Sequence, residues 1–455
     1  MGKADHATCV DQIRRRHTTR TEGIGDSTVI TLRQPDSEHM TRFFLTIVGL
    51  IVLSIATGGQ AADPLLARVK QERDAYLKTL QELVSIESGS RDIDGLNRIS
   101  EVIANRLRTL GGEVEFVAPG SDARFDDTPA QIGRMVLARF KGTGTRRILL
   151  LAHMDTVYEK GMGAKQPFRI DGDRAYGLGI ADNKHGVALI LHTIAILRAM
   201  KSQQYGMLTV LITGDEEISA PGSRGVLTRL GREHDVVLSA EGGGGPKNDR
   251  VELATTGSGA LLLKVTGRAS HAGAAPEQGR NALYEMAHQI MQMRDLSDPA
   301  TGVKLNWTVA SAGTVRNIIP AAAQAMADVR VQRVASWDAI EKRVRERVAK
   351  TLIPDTKVDV VLERRRPPLE PTDASRALAV RAQRIYSEIG RTLRVATEGQ
   401  GGATDAAIAA LETRGAVIEG LGLLGAGAHS NDAEYILLDS LEPRLYLLSR
   451  LIMQN

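Results

Sequence analysis

Short apolar segments alternate with helical ones through most of this chain, and that alternation narrows the possible folds more than any other feature. Apolar runs at 114–117, 135–140, 148–152, 208–213 and 236–239 have strand length. Around them, 64–84, 96–110 and 183–200 repeat apolar side chains at helical intervals, and Gly111-Gly112 stops the second of these. Strands alternating with helices predict a mostly parallel sheet covered on both faces. Sheets of that kind collect their binding groups in loops at the carboxyl ends of the strands.

The rhythm changes between about 250 and 371. Strands at 261–265, 305–312, 325–331 and 358–362 and helices at 281–293 and 336–349 follow the order β-α-β-β-α-β. That is the order of a small split βαβ, ferredoxin-like sandwich. The first rhythm then returns, with helices at 375–389, 404–411 and 441–452 and a strand at 416–418. The expected organisation is an α/β domain formed by residues 62–250 and 372–455, interrupted by an inserted α+β domain at 251–371.

The start of the chain has a different character. Residues 1–39 are polar and aperiodic, and read as a disordered or misassigned upstream tail. At 40–61, Arg42 precedes an apolar core at 43–56, and small residues around Ala61 offer a cleavage site. This is the layout of a secretory signal peptide, with a core shorter than the roughly 20 residues a membrane span needs. The only cysteine, Cys9, lies upstream of it, so the exported part has neither a disulfide nor a thiol nucleophile. A periplasmic or secreted location is expected. The formal charge of +4 falls to +3 once Arg42 is removed, because the tail is charge-balanced. No basic stripe interleaved with aromatics points to nucleic acid.

Acidic and histidine residues recur at the ends of the expected strands. His153 and Asp155 follow one in "LLLAHMDTV", and Glu216 and Glu217 another in "TGDEEISAPGSRG". Glu241 follows a third in "VVLSAEGGGG", while Asp182 and His429 sit in the glycine-rich "GLGIADNKHG" and "GLLGAGAHSNDAEY". Imidazoles and carboxylates together suit zinc or a similar divalent ion, and two histidines with three carboxylates suit two ions sharing one carboxylate.

"HMDTV", "GLGIADNKHG", "GDEEISAPGSRG", "GRASHAG", "GGATDAA" and "GAHSNDAEY" resemble, in order, the motif series of the aminoacylase and glutamate carboxypeptidase family of co-catalytic zinc peptidases. The resemblance implies two zinc ions per subunit, with His153, Asp182, Glu217, Glu241 and His429 as ligands and Asp182 bridging. It implies Glu216 as general base and Asp155 as the residue orienting His153. It implies that His271, in "GRASHAG", steadies the oxyanion from the partner subunit of a homodimer formed through the inserted domain, which doubles as a lid. Arg330, Arg366 and Asn317 would receive the substrate carboxylate, with the register among Arg364, Arg365 and Arg366 open. The activity so implied is metallocarboxypeptidase hydrolysis of the amide bond to a C-terminal amino acid, glutamate, in a small peptide or N-acyl amino acid. An aminoacylase, dipeptidase or other deacylase of the same family is the alternative. So, from another class, is a non-catalytic binding protein on the same scaffold.

Overall fold

The computed structural model describes residues 63–454, apart from 122, 431 and 432. The upstream tail, Cys9 and the signal peptide expected at 40–61 lie outside the described residues.

A six-stranded sheet carries the larger domain, in the order Glu113–Val117, Met135–Lys141, Met207–Thr213, Arg147–His153, Val236–Ser239 and Ala416–Ile418. The last four strands are mutually parallel, whereas the first two pair antiparallel at one edge. Alternate residues of Arg147–His153 serve opposite faces. Ile148, Leu150 and Ala152 enter the core shared with helices Pro64–Ser85, Ile93–Thr109, His185–Ala199, Asp373–Glu388 and Leu441–Met453. Leu149 and Leu151 enter a second core with Leu227, Leu230 and Ala406–Ala409, on helices Arg224–Glu233 and Asp405–Ala410. Both faces are covered, so these strands read as continuous apolar runs. Each buried leucine contributes roughly 1.5–3 kcal/mol, and a charge on either face of this strand would break it.

Helix His185–Ala199 is apolar all round because it is packed all round, against Pro64–Ser85, Leu441–Met453 and the sheet. The helix expected from 183 begins at His185; Asp182 and Asn183 are non-helical, in an irregular turn that Gly179 enters at φ +71°.

The inserted α+β domain is a four-stranded antiparallel sheet in the order Lys304–Ala312, Ala322–Val331, Gly257–Thr266 and Lys357–Arg366. Gly257–Thr266 alternates buried and more exposed positions. Its buried residues face a core shared with helices Ala282–Gln292 and Ser336–Val348. Two small sheets escape the sequence expectation. One joins Gly425–Ala426, Tyr435–Leu437, Arg174–Tyr176 and Arg169–Asp171, and the other pairs Arg250–Glu252 with Arg394–Ala396. Strands of two or three residues are too short to carry a period.

Candidate metal centre

Three parallel strands deliver the site from their carboxyl ends. His153 is the last residue of its strand, Glu216 and Glu217 open a short turn after Met207–Thr213, and Glu241 follows Val236–Ser239. Asp182 comes from the irregular turn before His185–Ala199, and His429 from the loop before Tyr435–Leu437, at φ +63°.

Asp182 stands between the two histidines. His153 Nε2 lies 2.8 Å from Asp182 Oδ1 and 3.3 Å from Glu241 Oε1. On the other side, His429 Nε2 lies 3.2 Å from Asp182 Oδ2 and 3.3 Å from Glu217 Oε2. Two donor groups thus share one carboxylate: His153 with Glu241, and His429 with Glu217. Ligand atoms of His153, Asp182 and Glu217 all lie within 4.8 Å of one another.

Buried partners hold these groups in place. The Asp155 carboxylate accepts the amides of Glu216 and Glu217, each at 3.1 Å, and the Ser90 hydroxyl at 2.8 Å. His153 Nδ1 meets the main-chain oxygen of Asp155 at 3.0 Å and its carboxylate at 3.4 Å. Glu434 accepts the amides of Gly179, Ala181 and Asp182 at 2.9, 2.7 and 3.1 Å and the Tyr158 hydroxyl at 2.5 Å, fixing the turn that carries Asp182. Asp215 ties the loop after Glu217 by accepting the amides of Gly222 and Ser223 at 2.6 and 3.0 Å.

The charges match the cradle of a divalent cation. Burial pushes Glu217 up to about 7 and also raises Glu216, Glu241 and Asp405. Burial opposes protonation of His153, but the Glu241, Asp155 and Asp182 carboxylates together outweigh it and hold the ring well above its usual range. Hydrogen bonds to Asp182 and Glu217 lift His429 to about 10. Glu217 Oε1 is buried with no hydrogen-bond partner. Crowded carboxylates, two imidazoles and an unmatched oxygen are the donor set a divalent ion satisfies. The residues present therefore fit a metal.

A cavity of about 470 Å³ opens over this cluster, lined by Asp182, Glu216, Glu217, Glu241 and His429 together with Arg330 and Arg366. Of the three consecutive arginines, Arg366 alone lines it. Arg364 pairs with Asp338 and Glu341, and Arg365 with Asp127. Arg366 is buried, paired with Glu216, and its Nη1 donates to the Ala403 carbonyl at 2.6 Å. Arg330 pairs with Asp328 at 3.0 Å and remains partly exposed.

His271 and Asn317 are elsewhere. Both are exposed on the inserted domain, neither is among the cavity's lining residues, and the Asn317 carbonyl accepts the Ala272 amide at 2.9 Å. His271 Nδ1 accepts the amides of Gly273 and Ala274 at 3.1 and 3.0 Å, the arrangement of a turn cap.

Sequence reasoning missed four buried acids: Asp215, Asp405, Glu419 and Glu434. Asp405 accepts the Thr213 hydroxyl at 2.6 Å, and burial together with the Glu241 carboxylate pushes Glu419 up to about 8. Glu434 sits inside the quoted "SNDAEY", and Glu419 directly follows a strand, the same signal that marked Glu241.

Comparison with known proteins agrees with this geometry. The family model described as peptidase family M20/M25/M40 matches residues 149–454. Carboxypeptidase G2 of Pseudomonas sp. (strain RS-16) is 39% identical over 417 residues, covering 92% of this chain and 98% of that protein. The aminopeptidase PepT from Bacillus cereus ATCC 10987 shares the fold at TM-score 0.68 with 21% identity, over 85% of this chain and 99% of that one. The Bacillus subtilis YXEP protein, described as a dinuclear metal binding peptidase, superposes at TM-score 0.60 with 16% identity, over 85% and 98% of the two chains.

Proposed function

The chain belongs to peptidase family M20/M25/M40, and from that premise we propose that it is a metallocarboxypeptidase that hydrolyses the amide bond to a C-terminal amino acid, glutamate among them. One observation carries the reading. The Asp182 carboxylate lies between His153 and His429, with Glu216 and Arg366 in the same cavity. We assign His153, Asp182 and Glu241 to one zinc ion and His429, Asp182 and Glu217 to a second. Bound there, the ions would supply Lewis acidity, acidifying water and polarising the scissile carbonyl.

The remaining chemistry belongs to the chain. Glu216 takes the proton of the attacking water and returns it to the departing nitrogen as the C–N bond breaks. Asp155 fixes the turn that carries Glu216 and Glu217, one carboxylate oxygen accepting each of the two main-chain amides. Arg366 and Arg330 receive the substrate carboxylate, to which a guanidinium offers a planar fork. Asn317 and His271 act from the partner subunit of a homodimer, with His271 donating to the developing oxyanion. Residues 40–61 direct the chain to the periplasm and are cleaved. Among the described residues no helix is long and apolar enough to cross a membrane.

The test is mass spectrometry of the zinc-loaded protein with N-acyl amino acids, dipeptides and a pteroyl-glutamate, using Glu216→Gln as the blank. Release of a C-terminal residue that vanishes in the blank supports the assignment. Turnover confined to other acyl groups moves the enzyme to the deacylases. Two bound zinc ions without turnover of any substrate return it to a binding protein.

A further inference from the structure

The strand Lys357–Arg366 is irregular at the residues that decide which arginine enters the cavity. Leu362 opposes Leu261, Glu363 opposes Ala260 and Arg364 opposes Gly259. The next partner, Ser258, is taken by Arg366, so Arg365 is the extra residue of a β-bulge. The two faces of this sheet have different neighbours. Leu261 shares a core with Trp337 of helix Ser336–Val348, and a Cβ at Gly259 would lie 2.7 Å from the Trp337 ring. Arg364, on that same face, pairs with Asp338 and Glu341 of the helix. Ser258, on the opposite face, lines the cavity. Regular pairing would set Arg365 opposite Ser258 and turn Arg366 towards the helix, because a slip of one residue exchanges the faces of a strand. The bulge is what brings Arg366 to the cavity.

The larger domain grips the extra residue. Arg365 pairs with Asp127, and its guanidinium carbon lies 4.9 Å from the centre of the Phe125 ring. The Arg224 guanidinium carbon lies 5.8 Å from the same ring. Arg224 Nη2 donates to the Arg365 carbonyl and, at 3.3 Å, to the carbonyl of Ser219, which closes the short turn begun by Glu216 and Glu217. The Asp126 amide donates to Glu363 Oε1 at 2.9 Å. An exposed ion pair alone contributes little. Here the main chain and the side chain of the bulged residue are both held, and Arg224 ties them to the turn that carries the base.

We propose that Phe125, Asp127 and Arg224 clamp the bulged Arg365 and so act as positioning residues for Arg366, setting it to receive the carboxylate of the departing residue. This rests on the carboxypeptidase reading above.

The test measures kcat, KM and Tm of the zinc-loaded enzyme with N-benzoyl-glutamate, in the parent and in Arg224→Ala, Phe125→Ala, Asp127→Asn and Arg364→Ala. Crystal structures of the parent and of Arg224→Ala accompany it. KM is expected to rise about tenfold in Arg224→Ala and by smaller factors in Phe125→Ala and Asp127→Asn, with kcat within about threefold of the parent. Arg364→Ala removes a neighbouring arginine outside the clamp and should keep the parent KM. In the Arg224→Ala crystal, Arg366 should have left its contact with Glu216. A lowered Tm with KM unmoved in all three clamp variants overturns the proposal, as does an equal rise of KM in Arg364→Ala. If the parent releases no glutamate, the failure belongs to the carboxypeptidase reading. The crystal structures then decide the clamp alone: with Arg366 displaced it stands, and with the bulge and Arg366 in place it falls.

Discussion

Glu216 and Glu217 are neighbours with unlike surroundings. Glu217 Oε2 faces His429 at 3.3 Å and its Oε1 has no protein partner, whereas Glu216 pairs with Arg366, and both line the cavity. A ligand and a base differ in this way, because a base needs lone pairs that no metal ion holds. Glu216→Gln removes the proton acceptor at nearly constant volume. It is expected to lower kcat about 10²–10⁴-fold while zinc content by atomic absorption stays that of the parent. Loss of metal together with activity would instead make Glu216 a ligand. Glu434 is the converse case, remote from the reacting atoms but bonded to three amides of the turn that carries Asp182. Glu434→Gln keeps one acceptor oxygen where two are used. Metal affinity, read by competition with a chelator, is expected to weaken about 10–100-fold.

Helices Pro64–Ser85 and His185–Ala199 meet through a buried polar contact within an apolar interface. His192 Nδ1 lies 2.7 Å from Glu72 Oε1 and its Nε2 lies 2.8 Å from the Thr79 hydroxyl. Burial pushes the Glu72 carboxyl up, but the His192 ring and Arg68 outweigh it and hold it below its usual range. A carboxylate with a depressed folded-state value adds stability above its unfolded value, and loses that contribution as pH falls through the folded one. Glu72→Gln is therefore expected to lower the urea midpoint at pH 7, with the gap to the parent narrowing as the pH is taken below about 4. A gap independent of pH would assign the loss to packing alone. The same helices show what the sequence discloses. Their spacing is legible because helix burial follows a 3.6-residue period, and the central strands are legible because both faces are covered. His153, Asp182, Glu217, Glu241 and His429 were legible as acids and histidines at strand ends or in glycine-rich loops. The contacts among them were not. Arg366 reaches Glu216 from 150 positions away, and only folding selects it over Arg364 and Arg365.

One copy of the chain supplies a cavity with base, arginines and cradle, but His271 and Asn317 stand on the exposed surface of the inserted domain. Nearby surface is apolar beyond what a solvated face needs: Tyr284 is 62% exposed, Val315 51% and Ile318 46%, the last bridged to His271. A two-fold dimer would cover such a surface and bring each His271 to the other copy's cavity. Complementation separates this arrangement from a turn-capping histidine. His271→Ala and Glu216→Gln should each be nearly inactive alone. After co-refolding at equal concentration, half the dimers are mixed, and in each of these one cavity combines an intact Glu216 with an intact His271 from its partner. Activity should return to about a quarter of the parent value. If His271 serves its own chain, every cavity in the mixture lacks one group and no activity returns. If His271 only caps its turn, His271→Ala alone keeps its kcat and loses a little stability.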